Sequence, residues 1–258
     1  MFTATDHALM ARALRLADRA GYWARPNPHV GCVIARGDEI LGEGFTQPAG
    51  GNHAEVEALA RAGAAASGAT AYVTLEPCSH HGRTPPCAGA LIDAGIGRVV
   101  AAVADPNPQV GGKGLETLRA AGIAVEVGLL AAQVEAQLAG FLLRHRRGRG
   151  RLRAKLAMSL DGRTAMRSGE SQWITGPAAR RDVQRLRAAS CAVITGIGTV
   201  LADDCALTVR DGELEESLLL PGQERRALRV VVDSELRTPP GARVLAGEQP
   251  TLLAHREG

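Results

Sequence analysis

The strongest constraint on this 258-residue chain is an alternation of rhythm along its first 143 residues. Leu9, Met10, Ala13, Leu16 and Ala17 fall at helical spacing over residues 5–20, behind a Thr3-x-x-Asp6 capping-box pattern. Extended runs follow near His29–Ala35 and Glu39–Phe45, joined through Arg36-Gly37-Asp38. Asn52 is the expected N-cap of a helix of about 14 residues starting at His53. A strand is predicted at Ala69–Glu76, a helix opening at Pro85-Pro86-Cys87, and a strand at Arg98–Ala104. A helix near Gly112–Ala121, a strand at Ile123–Val127 and a helix at Ala131–Leu143 complete the series. The order α-β-β-α-β-α-β-α-β-α implies a central sheet with helices on both faces.

The pattern then restarts. Leu152–Met158, Ala192–Gly196 and Leu228–Val232 read as strands, with a helix at Pro177–Ala188. Two α/β domains are expected, 1–146 and 152–258, joined by a basic linker at 147–151. Aromatic residues are only 3% of the chain, so both cores must be built from Ala, Val, Leu and Ile.

The net charge of +3 is local in origin, because residues 144–153 hold six Arg and no acid. The remaining 24 basic and 27 acidic residues leave −3. Such a run suits either a polyanion such as nucleic acid or, given its Gly content and position, a solvated linker, which is the plainer reading. No apolar run approaches the ~20 residues that span a bilayer, and no leader pattern is visible, so a cytoplasmic protein without membrane contact is expected. Five Cys is an odd number for a disulfide framework, which brings metal ligation and burial forward.

His53-Ala54-Glu55 opens one predicted helix, Cys78 follows a strand, and Cys87 opens another helix. One His and two Cys are three zinc ligands, leaving a fourth position for water. A helix N-terminus is expected to lower the Cys87 pKa. Glu55 lies beside this set without belonging to it, free to shuttle protons in a zinc-dependent deamination. The eight residues between the cysteines depart from the usual P-C-x-x-C spacing. A structural zinc knuckle, with His80 or His81 as fourth ligand, is the alternative. Cys32, Cys191 and Cys205 read as core or surface thiols.

The runs Pro26–Ile34, Ala49–Val56 and Glu76–Cys87, with Asp105-Pro106-Asn107-Pro108-Gln109-Val110 and Gly112-Lys113-Gly114, resemble the bifunctional riboflavin-biosynthesis deaminase–reductases. The long Cys-to-Cys spacing is that family's own form. The resemblance implies a cytidine-deaminase-like three-layer α/β/α domain. Its substrate would be a diaminopyrimidinone ribosylamino 5′-phosphate, whose ring amino group is hydrolysed to a carbonyl. It assigns zinc to His53, Cys78 and Cys87, and proton donation to Glu55. Asn27, His80, Asp105 and Asn107 would line the ring and ribose pocket, with Arg83 on the phosphate. The residues flanking prolines could equally be turn formers, and Gly111–Gly114 reads as a turn before a helix. Thr46 replaces a usual His, which is expected to alter substrate contacts, and Glu57 replaces another, with an exposed acid as its plain reading.

The later runs Lys155–Thr164, Ser168–Gly176 and Val193–Asp204 resemble the same family's reductase domain, of dihydrofolate-reductase-like α/β fold. A strand entering Gly-x-Gly-Thr at a helix start can hold a dinucleotide phosphate, although the full Gly-rich spacing is lacking. The resemblance assigns Ala157, Trp173, Thr199, Asp203 and Ser234 to NADPH. Lys155, Ser171, Arg187, Leu207 and Arg210 are assigned to the sugar phosphate reduced from ribosyl to ribityl. Cys205 stands where Pro is usual, so a different loop is expected there. Family members continue for roughly 100 residues more, the size of a small domain. The resemblance therefore leads us to expect a C-terminally truncated reductase half that binds NADPH poorly or not at all, with no detectable reduction beside intact deamination. A zinc deaminase acting on another nucleoside or on RNA, and a non-catalytic zinc-stabilised module, are the competing readings. The partner implied is a small pyrimidine ribosyl phosphate. Nucleic acid is disfavoured, and homo-oligomerisation is left open.

Overall fold

A computed structural model describes residues 1–80, 82, 84–108, 110–210, 214 and 227–257. The chain divides into two compact units, Met1–Arg153 and Ala154–Gly258.

The first unit is built on five strands: β1 (Gly31–Arg36), β2 (Glu39–Phe45), β3 (Thr70–Leu75), β4 (Arg98–Val103) and β5 (Ala124–Val127), in the order β2-β1-β3-β4-β5. β1 runs antiparallel to both neighbours, whereas β3, β4 and β5 are parallel. The helices are α1 (Ala4–Ala20), α2 (Ala54–Ala62), α3 (Cys87–Asp93), α4 (Lys113–Ala120), α5 (Ala131–Gln137) and α6 (Ala139–Arg147). Gly31 and Gly44 point to opposite faces, because Gly31 is paired with Phe45. A Cβ on Gly31 would come 1.9 Å from Ala13 O of α1, and one on Gly44 would come 2.1 Å from Ala54 O of α2. Helices therefore press on both faces. α3 and α4 follow α2 on its side. α5 joins α1, where Gln137 Nε2 donates to Leu14 O at 3.0 Å.

Several elements differ from the sequence reading. The N-cap of α2 is His53 and not Asn52, and its side chain makes no cap bond. Asn52 donates instead to Glu57 Oε1 at 2.9 Å, and Arg61 flanks the same carboxylate at 3.7 Å, so Glu57 is only half-buried rather than exposed. α2 stops at Ala62 and passes into a 3-10 turn at Gly63–Ala66, where Gly63 leaves the helical region. The helix expected over Ala131–Leu143 is broken at Leu138, although its bonds to Val134 O and from Leu142 N keep the turns in register. α6 continues to Arg147 before Gly148 ends it in the left-handed region, so the basic run begins as a helix end, where cations complement the macrodipole.

The second unit holds α7 (Pro177–Ala188), α8 (Ile197–Asp203) and a parallel three-stranded sheet, β6 (Ala192–Gly196), β7 (Leu228–Val232) and β8 (Thr251–Ala254), in the order β6-β7-β8. Val200, Leu207, Val231, Ala242 and Val244 form its core on one face of the sheet. The strand expected at Leu152–Met158 is absent: no described strand pairs with this stretch, and Leu152 and Leu156 are exposed. Apolar alternation supplies a face, but a strand also needs a partner for its backbone.

One buried polar cluster ties α1 to the sheet. Asp6 completes the capping box with Thr3 and also accepts from Tyr72 Oη and Arg98 Nη1, each at 2.7 Å. Arg98 further pairs with Glu126. The Arg98 bond leads the Thr3 and Tyr72 bonds in holding the Asp6 carboxyl well below the usual carboxylate range, against the opposing cost of burial. Its stabilisation is complete above about pH 4 and is lost as the pH falls towards the folded-state value. Asp6→Asn is expected to cost about 2–3 kcal/mol at pH 7, because a buried pair loses one member. Urea unfolding at pH 7 and pH 3 checks this, with the gap between wild type and variant narrowing at the lower pH.

Candidate active site

The topology brings four chain segments to one edge of the first sheet. The parallel strands β3 and β4 end there, and antiparallel pairing places the start of β1 and the end of β2 beside them. The segments before Gly31, after Phe45, after Leu75 and after Val103 therefore meet around the start of α2. Ligands gather at such carboxyl edges because the turns that leave them are free to carry polar groups.

At this edge His53 Nδ1 lies 3.6 Å from Cys78 Sγ and 3.3 Å from Cys87 Sγ. The three ligand atoms all fall within 4.8 Å of one another. Bonds of about 2.0–2.3 Å to a tetrahedral ion place neighbouring ligand atoms about 3.5 Å apart, so this donor set fits zinc in spacing and softness. The ring nitrogen turned towards the sulfurs explains why the His53 side chain makes no cap bond.

The thiol electrostatics reverse the sequence expectation. Cys78 Sγ accepts the Cys87 N–H at 3.4 Å, so the start of α3 favours the anion on Cys78 rather than on Cys87. The Cys78 pKa is lowered to about 4, mainly by the hydrogen bond from the Cys87 thiol, with His53 assisting. Cys87 is pushed up by that same contact, by burial and by Glu55. His53 is raised, first by its bond to Cys78. Glu55 is buried in the first turn of α2 and pushed up to about 7, chiefly by burial, with His53 opposing and Cys78 adding to the shift. Cys32 lies buried beside it, its thiol raised by burial and by the Glu55 charge. A carboxyl near neutrality can both accept and return a proton.

Asn27, His80, Asp105 and Asn107, singled out in the sequence, fall on the same edge. Asn27 lies on the half-buried turn before β1, where its N–H donates to Ala24 O. Thr46 holds that turn: its Oγ1 accepts from Val30 N at 2.9 Å and donates to Pro28 O at 3.2 Å, and its carbonyl accepts from Trp23 Nε1. The Thr46 side chain is thus occupied inside the turn. His80 is exposed just after Cys78. Asp105 follows β4 and accepts the Asn107 N–H at 2.8 Å. Its pKa is raised by burial, against that bond and the charges of His80 and His145. Arg83, like His81 and Gln109, lies outside the described residues. Sequence reasoning missed Glu76, whose carboxylate accepts four backbone N–H groups from residues 105–115. Its signal was a lone acid closing an apolar strand run.

In the second unit Gly196, Val232 and Ala254 are in register across the sheet. Thr199, in the first turn of α8, and Ser234, just after β7, therefore stand at one carboxyl edge, both exposed, with Asp203 at the far end of α8. Arg187 Nη1 donates to Thr208 O at 2.8 Å, and Arg210 N donates to Gln184 Oε1 at 3.1 Å, so α7 gathers Arg187, Leu207 and Arg210. Leu207 is buried in the left-handed region, at φ 55°. Trp173 stacks under the Arg180 guanidinium at 4.5 Å. Lys155, Ala157 and Ser171 lie on the irregular segment 154–176, with Lys155 and Ser171 exposed. At Cys205 the backbone turns through Asp204 (φ 42°), whose carboxylate accepts Arg243 N, and the thiol packs on the second core.

A His/Cys/Cys set with a buried, non-ligating Glu on one sheet edge defines the zinc-dependent nucleobase deaminase class. Residues 3–103 match the cytidine and deoxycytidylate deaminase zinc-binding region, and residues 151–258 match the RibD C-terminal domain. The riboflavin biosynthesis protein RibD of Escherichia coli is 58% identical over 98% of this chain and 70% of its own length. That of Haemophilus influenzae is 52% identical over 99% and 70%. The solved RibD of Acinetobacter baumannii superposes with a TM-score of 0.89 at 49% identity, covering 98% of this chain and 70% of that one. The chain belongs to the RibD family, the bifunctional deaminase–reductases of riboflavin biosynthesis. It pairs a zinc-binding deaminase half with a reductase half of the kind that uses NADPH. Neither an RNA or nucleoside deaminase nor a non-catalytic zinc module is favoured. No described helix is long and apolar enough to cross a membrane.

Cys78→Ser and Cys87→Ser are each expected to reduce zinc from about one per chain to about one tenth of that or less, since three protein ligands leave no redundancy. Metal analysis of the purified variants checks it.

Proposed function

We propose that His53, Cys78 and Cys87 hold the zinc and that Glu55 moves the protons in hydrolysis of a ring amino group of 2,5-diamino-6-ribosylamino-4(3H)-pyrimidinone 5′-phosphate. The observation that carries this reading is Glu55, buried beside the three donors with a pKa near neutrality. Zinc held by these three side chains would supply the Lewis acidity that activates a water for attack. Glu55 would carry the protons of the attacking water, one to the ring nitrogen and one to the departing amine, so that the amino-bearing carbon becomes a carbonyl and the amine leaves as ammonia. Asn27, His80, Asp105 and Asn107 contact the ring and ribose, and Arg83 the phosphate. The Thermotoga maritima relative, named a diaminohydroxyphosphoribosylaminopyrimidine deaminase and 5-amino-6-(5-phosphoribosylamino)uracil reductase, supports this substrate. It is 36% identical over 96% of this chain and 69% of its own, with a TM-score of 0.87.

For the second half, residues 152–258 are assigned the reduction of ribosyl to ribityl, and residues 1–146 the deamination. Ala157, Trp173, Thr199, Asp203 and Ser234 take NADPH, and Lys155, Ser171, Arg187, Leu207 and Arg210 take the sugar phosphate. The shared carboxyl edge of Thr199 and Ser234 supports the cofactor assignment. The gathering of two Arg by α7 supports the phosphate assignment.

Glu55→Gln keeps the shape and removes the proton carrier. It is expected to keep about one zinc per chain while deamination falls about 10²–10⁴-fold. Robust turnover by that variant contradicts the reading. Arg187→Ala is expected to weaken binding of the phosphorylated reductase substrate about tenfold and to leave deamination unchanged. Deamination assays and a binding titration with that substrate decide the two.

A further inference from the structure

Glu76 takes no part in the chemistry above. It is 4% exposed and sits two residues before Cys78, where a buried carboxylate is costly unless its oxygens are satisfied. All four N–H partners named above belong to one stretch of chain. Oε2 accepts from Asp105 N and from Gly112 N, each at 3.0 Å. Oε1 accepts from Gly114 N at 2.9 Å and from Leu115 N at 3.4 Å. One oxygen therefore fastens the two ends of segment 105–112, and the other fastens the first turn of α4, where an anion also meets the favourable end of the helix. Gly114 makes the approach possible, since a Cβ there would come 1.9 Å from Pro77 O. Inside the fastened segment Asp105 accepts Asn107 N, and Asn107 O accepts Val110 N, both at 2.8 Å.

We propose that Glu76 is a positioning residue for deamination: by clamping segment 105–112 to the strand that carries Cys78, it sets where Asp105 and Asn107 stand relative to the metal centre, and through them governs substrate binding. The inference rests on the reading of those two residues as substrate contacts. Four converging N–H groups need two accepting oxygens, so the carboxylate is specific. A Gln would accept with one arm and oppose donor to donor with the other. An Asp would keep the charge but fall short by a methylene.

The test is steady-state deamination of the pyrimidinone phosphate by the full chain, with zinc content and melting temperature measured alongside. Glu76→Gln is expected to raise KM about tenfold while kcat changes less than about threefold and zinc is retained. Glu76→Asp is expected to recover part of that, with KM raised about threefold. If the Gln variant does not accumulate folded and zinc-loaded, the Asp variant decides alone. In an Asp105→Ala/Asn107→Ala background, Glu76→Gln is expected to add less than about twofold, because residues that act through one another are not additive. Unchanged KM in the folded variants, a kcat loss that merely tracks lost zinc, or the full KM penalty in that double background each overturns the proposal. Unchanged KM in Asn107→Ala alone shows that the substrate reading itself has failed, and the proposal goes with it.

Discussion

The approach of α2 to the edge strand fixes the rest of the first unit. Gly42 and Gly44 carry no side chain, and a Cβ at either would lie within 2.2 Å of an α2 carbonyl. The helix therefore sits closer to β2 than two ordinary side-chain layers allow. That depth buries Glu55 and presents His53, one step outside the helix, to the sulfurs that follow β3. A bulkier residue at either glycine would lift the helix and separate the His from the Cys pair. The zinc centre is in this sense a product of backbone packing, completed by three side chains.

Charge accumulates at that edge by the same logic. Burial holds the protons on Cys87, Glu55 and Cys32, whereas Cys78, which accepts from Cys87, gives up its own. A divalent cation answers this concentration of acidic groups, since it favours both thiolates at once. The opposite edge of the sheet handles charge differently. There Asp6, Arg98 and Glu126 neutralise one another, which suits a structural role.

Much of this was legible in the sequence, because helical and extended periodicities differ and the Pro-Cys and His-Ala-Glu runs carry their chemistry in residue type. The failures have physical causes. Asn52 is the better N-cap by propensity, but His53 takes the position because the metal set claims its ring. Leu152–Met158 alternates like a strand yet finds no partner among the described residues, and β8 was missed because four residues carry too little pattern. Cys87 was expected to hold the thiolate from its place at a helix start, but the N–H there points to Cys78. Glu76 and Thr46 act through backbone groups far away in sequence, which no local pattern records.

X-ray absorption at the zinc edge of the purified chain tests the central claim most directly. An open three-ligand centre predicts two sulfurs at about 2.3 Å and two nitrogen or oxygen neighbours at about 2.0 Å, only one of them an imidazole. A second imidazole, or a third sulfur, would show a fully protein-ligated zinc with no position for water, and would contradict the account.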